Sequence, residues 1–343
     1  MSSASIGDEH GPLVSMLLRL EPAEPGWLTP SCGPQLQAAF LQLVRQVDPE
    51  LSAWLHQPNQ RRPYTLSLLW GFRQLSVKEL QIATSHLQPV PVRPGERYWL
   101  RLTLLDERLV QAILRACLQQ ARQLSLTVEQ TPLLVTRMLA APDPTHEGPS
   151  WVAVTSFEEL AREQEAQEHY AFEFASPTAF SRGQRSWGKL LTLFPEPAAV
   201  FESLARSWDL FTPARLRLVA AGLTPQEIAD WCADHLIVSQ YELRTQYLPS
   251  SRFGQTGFLG RITYEVKGPR GAAQARWLTS LARLALFSGV GYKTAMGMGQ
   301  ARCLNGFSSA ELPPASDSAA SATLVAHEQA EEKDAVAYHP DLP

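Results

Sequence analysis

SGVGYKTAMGMGQ, residues 288–300, places glycines at 289, 291, 297 and 299 around one lysine, Lys293. Glycine accepts positive φ and lets a second backbone come close. Successive amide N–H groups in such a loop can form a concavity for phosphate. Upstream, residues 272–287 have helical period, with Trp277, Leu281 and Leu284 on one face and Arg276 and Arg283 on another. Downstream, 299–305 reads as a strand. The loop therefore runs from helix to strand. A P-loop runs the other way and needs glycine directly before Lys-Thr, where Tyr292 stands. A dinucleotide fingerprint has the same reversed order and needs glycine at 294, where Thr294 stands.

Working outward, strands are expected at 236–247 and 257–267 and a helix at 197–208, using Val200, Leu204 and Trp208. WVAVTSF (151–157) and YAFEFAS (170–176) read as strands with a polar helix between them. Residues 212–235 fit no element of this scheme. The first half has the same grammar. LVSMLLRL (13–20) is a strand, and Leu36, Phe40, Leu43 and Val47 mark a helix. Asp48-Pro49 caps a short helix that ends near His56. PYTLSLLW (63–70) and RYWLRLTLL (97–105) are strands, with Tyr64, Leu66, Leu68 and Trp70 on one face of the first. A helix at 107–122, with Leu109, Ile113 and Cys117 in register, precedes strand character at 124–139.

The order is β-α-β-β-α-β, and it partly repeats. The expected fold class is α+β, as two tandem ferredoxin-like (RRM-like) domains at 12–140 and 151–306. APDPTHEGPS (141–150) reads as the linker between them, and the Ala-, Ser-, Pro- and Glu-rich residues 307–343 as a disordered tail.

Composition narrows the functional classes. No apolar run approaches the ~20 residues of a membrane span, and MSSASIGDEHG has neither the basic start nor the apolar core of a signal peptide. Cys32, Cys117, Cys232 and Cys303 are scattered and form no zinc or disulfide pattern, as in a reduced cytoplasmic protein. The net charge of −4 is uneven. Seven carboxylates against Lys333 give residues 307–343 a net −6, which leaves the first 306 residues at +2. Of 30 basic residues 25 are arginine, whose planar fork grips phosphate and stacks on bases. Such a charge balance permits RNA binding.

The loop resembles that of the CRISPR repeat-processing endoribonucleases, which carry G-x-G-x-x-x-x-x-G-x-G with a basic residue inside it. Gly289, Gly291, Lys293, Gly297 and Gly299 match. FASPTAFSRG (174–183) and GQTGFLGRITYEVKG (254–268) are similar to further segments of that family. The resemblance covers roughly residues 12–306 and implies tandem ferredoxin-like domains and binding of a CRISPR repeat hairpin. The loop alone is shared with non-cutting RNA-binding relatives.

The nuclease reading rests on DPELSAWLHQPNQRRPYTLS (48–67). Similar family members have a histidine at the end of this short helix and a basic residue soon after. Here these are His56 and Arg62, or its neighbour Arg61. The chemistry implied is attack of a ribose 2′-OH on the adjacent phosphate, with no metal and no cofactor. It needs a base, an acid and positive charge for the phosphorane. Histidine, with a pKa of ~6.5, serves either proton role, and arginine suits the phosphorane. Several relatives use a tyrosine in the first helix, at a place held here by Leu41.

Arg182, Arg185, Lys189, Arg252 and Arg261 are further candidates for a groove that tracks the phosphates. The RNA product would be handed to, or retained with, an interference complex. No membrane partner is expected, and a homodimer remains open. The competing readings are a non-catalytic RNA-binding subunit and, behind it, a nucleotide-binding enzyme.

Overall fold

The structure is a computed structural model and describes residues 11–57, 60–72, 74–119, 124–141, 151–162, 166–249 and 254–305. Residues 142–150, the 307–343 tail and Arg252 lie outside the described residues. In the first half the elements are β1 (Leu13–Pro22), β2 (Gly26–Leu28), α1 (Gly33–Val47), α2 (Pro49–Leu55), β3 (Tyr64–Leu66) and α3 (Val77–Ser85). Then come β4 (Val90–Val92), β5 (Tyr98–Leu104), α4 (Glu107–Gln119), β6 (Ser125–Val128), β7 (Thr131–Leu139) and β8 (Ala153–Thr155). The second half has α5 (Phe157–Ala161), β9 (His169–Thr178), β10 (Phe180–Arg185), β11 (Gly188–Thr192), α6 (Pro197–Phe211) and α7 (Pro225–His235). It ends with β12 (Leu236–Leu248), β13 (Gln255–Val266), α8 (Leu278–Ser288) and β14 (Ala301–Cys303).

The strand order β3-β5-β1-β7 places the four main strands of the first half in the sequence second, third, first, fourth, with β6 at the far edge. The second half repeats it as β12-β13-β9-β14. Two ferredoxin-like units in tandem are therefore present.

In the first unit, alternation along β1 decides the packing. Val14, Met16, Leu18 and Leu20 join Leu36, Phe40 and Leu43 of α1 and Leu109 and Ile113 of α4 in one core. On the opposite parity, Leu13 joins the core of the second half and Ser15 donates to the Trp151 carbonyl. In the second unit, Tyr170, Phe172 and Phe174 of β9 pack against Phe201 of α6 and Leu281 and Leu284 of α8.

Several elements differ from the sequence expectation. The strand at 151–157 is only β8, and it pairs with β1 of the first sheet, so β9 is the first strand of the second unit. The strand expected over 63–70 is continuous only to Leu66; Ser67 then bridges to Gly297 of the glycine loop, and Trp70 returns to pair with Trp99 of β5. Residues 124–139 form a hairpin whose turn residues, Glu129 and Gln130, both have positive φ (49° and 70°). The Glu129 carboxylate accepts the Thr29 amide at 2.6 Å and helps hold that turn. The unassigned stretch 212–235 contains α7, opened by Thr224 and Glu227 in a reciprocal cap.

Candidate RNA-processing site

α2 places His56. Asp48 accepts the Leu51 amide at 2.9 Å and Pro49 starts the helix. His56 is the residue that ends it, with its amide bonded back to Ser52 and Ala53. The His56 Nδ1 lies 2.8 Å from the Ser52 carbonyl. A carbonyl only accepts, so Nδ1 carries the hydrogen and Nε2 is the atom whose proton can come and go. The imidazole is exposed.

His56 borders a cleft of about 720 Å3 between the two units. Arg61, Arg62, Arg182, Arg206, Tyr292 and Lys293 reach it too, so the cleft is basic. The two adjacent arginines differ in use. Arg61 donates to the Ser203 carbonyl at 3.0 Å and the Ser207 hydroxyl at 2.7 Å, which fixes it to α6. Although the residue as a whole is exposed, that guanidinium head is set into the helix surface. Its pKa is lowered, first by burial and then by Arg206. Arg62 is half-buried and makes no hydrogen bond or ion pair among the described residues. Of the two arginines, it is the one not tied to α6.

The glycine loop divides into two parts. Gly289, Gly291 and Lys293 belong to the cleft wall. Gly291 has φ 85°, and a Cβ there would stand 2.5 Å from the Ala179 carbonyl. Gly297 and Gly299 are buried and do not border the cleft. Their amides donate to Leu66 and Pro177 carbonyls at 3.0 and 3.1 Å, so they join the loop to the protein and do not face the cleft. Tyr292, between the pairs, was not singled out from the sequence, although it lies in the motif. Its hydroxyl meets Lys189 Nζ at 3.0 Å, and its ring lies under both Lys189 and Lys293. At the place of the family tyrosine, Leu41 borders the same cleft.

β10 and β11 form a hairpin beside the loop. Arg182 donates to Thr192 at 3.1 Å and pairs with Glu196 at 3.5 Å. Arg185 and Lys189 follow along the exposed arms, and Trp187 at the tip is 71% exposed. No strand period marks that tryptophan in the sequence, because Gly183 and Gly188 interrupt it. Arg261 is not brought to the cleft. It pairs with buried Glu173 at 3.2 Å, which also binds Arg302. Among the described residues no group of three or more His, Cys, Asp or Glu converges to hold a metal, and no helix is long and apolar enough to cross a membrane.

The sequence matches "CRISPR Cas6 N-terminal domain" over residues 12–162 and "CRISPR-associated endoribonuclease Cas6" over 172–301. The chain belongs to the Cas6 family. A curated Cas6 of Streptococcus thermophilus is 25% identical over 141 residues, 41% of this chain. That match spans about half, 53%, of the curated relative's length. Among solved structures, Thermus thermophilus Cas6 is 27% identical, covering 87% of this chain and 100% of that one, with a TM-score of 0.58. A product complex of the same Cas6 is 28% identical, covering 85% and 99%, with a TM-score of 0.66. The tandem units seen here are thus a Cas6 arrangement along nearly the whole length of those structures.

Proposed function

We propose that this chain is an endoribonuclease that binds the repeat hairpin of CRISPR precursor RNA in the basic cleft and cuts beside the stem to produce guide RNA. The observation that carries the proposal is that His56, from a short helix of the first unit, lies on the same cleft as the glycine loop of the second, in a Cas6-family chain.

The reaction needs no metal. The 2′-oxygen loses its proton and attacks the adjacent phosphorus. The P–O5′ bond breaks, a 2′,3′-cyclic phosphate forms and the departing 5′-oxygen gains a proton. His56 moves one of these two protons through Nε2. Arg62 offers charge to the phosphorane, where fixed donors act most strongly. Lys293, Lys189 and Arg182 hold the backbone of the stem, while Tyr292 and Trp187 offer ring faces to bases. The solved product complex of a similar Cas6 supports the same reading.

The test is cleavage of a labelled cognate repeat hairpin in EDTA. Wild type should cut. His56→Ala should lose about 10²–10⁴-fold in rate and retain binding in a filter assay. Tight binding by wild type with no cut would favour the non-catalytic subunit instead.

A further inference from the structure

Beside His56 a second cavity, of about 590 Å3, opens between α1 and α2. Leu41, Gln42, Arg45 and Gln46 of α1 border it with Ser52 of α2, and His56 stands at its edge. His56 and Leu41 are the two residues that it shares with the basic cleft. The active histidine therefore stands where the two spaces meet.

A strand cut at His56 continues in two directions. On the proposed reading the stem occupies the basic cleft, so the unpaired strand beyond the scissile phosphate must pass to the other side. The α1–α2 cavity is the space there. Its volume falls within the ~300–1,000 Å3 range of small-ligand sites. Arg45, in the last turn of α1, is exposed and makes no hydrogen bond or ion pair among the described residues. A guanidinium in that state suits a phosphate oxygen. Gln42 and Gln46 add donors and acceptors of the kind that read base edges. Leu41 gives the cavity an apolar side against which a base can pack.

We propose that the α1–α2 cavity is a subsite for the unpaired nucleotide across the scissile bond from the stem. Arg45 holds its phosphate, and Gln42 and Gln46 contact its base. The inference rests on the nuclease reading, and it assigns part of the substrate preference to a helix face well away from the glycine loop in sequence.

The experiment uses the full chain and two labelled hairpins. One carries the unpaired flank and a single 2′-deoxy nucleotide at the cut, so that binding is measured without cleavage. The other ends at the cut. Wild type should bind the flanked RNA more tightly. Arg45→Gln should weaken flanked binding about tenfold, and Ala38→Trp, from an exposed helix position on the same cavity, should abolish the flank's advantage. Both variants should bind the trimmed RNA as wild type does. A 4-thiouridine in the flanking position should crosslink to a peptide containing residues 38–46. Equal wild-type affinity for the two RNAs, equal weakening of both by the variants, or a crosslink elsewhere would overturn the subsite while leaving the nuclease reading intact. Failure of wild type to bind either RNA would overturn both.

Discussion

His56, Arg61 and Arg62 show how neighbouring residues of similar chemistry acquire different work. Arg61 is spent on two bonds to α6, and Arg62 is not. Arg62→Gln should therefore slow cleavage by about 10²–10³-fold, the usual cost of a lost transition-state donor, with little change in melting temperature. Arg61→Ala should lower the melting temperature and weaken RNA binding, because it releases the cleft wall from α6. Single-turnover kinetics beside a thermal melt separate the two. The position of His56 was legible in the sequence through the Asp48-Pro49 cap and the short helix. The choice between Arg61 and Arg62 was not. It depends on Ser203 and Ser207, more than 140 residues away.

In the glycine loop, backbone conformation follows the local sequence while the surroundings follow the tertiary fold. Its four glycines, at φ 61°, 85°, 90° and 68°, all need the left-handed region, as their clustering suggested. What packs against them sets their division: Gly289 and Gly291 border the cleft, and Gly297 and Gly299 do not. A Cβ at residue 299 would collide with the Val290 carbonyl oxygen. Gly299→Ala should thus cost about 2–4 kcal/mol of stability, measured by urea denaturation, and should also loosen RNA binding. The helices α3 and α7 had visible capping boxes at Ser76 and Glu79 and at Thr224 and Glu227, yet their apolar stripes are too short for periodicity to reveal them. The three-residue strand β8 reads locally as the start of the second unit. Only the tertiary partner β1 shows that it completes the first.

Buried polar groups join the two units alongside apolar contacts such as those of Leu13 and Leu105 with the second core. Arg101 of β5 is fully buried and donates to Ser15, the Trp151 and Leu286 carbonyls, and Gln300 at the end of the glycine loop. Burial, and then Arg302, lower its pKa to about 9, so it remains charged at neutral pH. Thr103 adds a bond to the Phe287 carbonyl at 2.6 Å. The free carbonyls at the end of α8 are thereby satisfied by the other unit. Arg101→Met should strand these acceptors and destabilise the chain by about 2–4 kcal/mol, and the cleft should lose RNA affinity in parallel. Retained affinity in the destabilised variant would show that the cleft does not depend on this junction. The topology of the first unit was legible because strand and helix periods follow local sequence, whereas the second was legible only in part, since the strand expected at 151–157 pairs with the first sheet. This junction was not, since an isolated arginine in a strand carries no mark of its distant partners.

The most direct measurement is the chemistry of the ends left by wild type on a cognate repeat hairpin, read by mass spectrometry of both fragments. A 2′,3′-cyclic phosphate or 3′-phosphate on one fragment and a 5′-OH on the other is the outcome predicted for 2′-OH attack assisted by His56. A 3′-OH facing a 5′-phosphate would mean that water attacked the phosphorus, and it would contradict the mechanism.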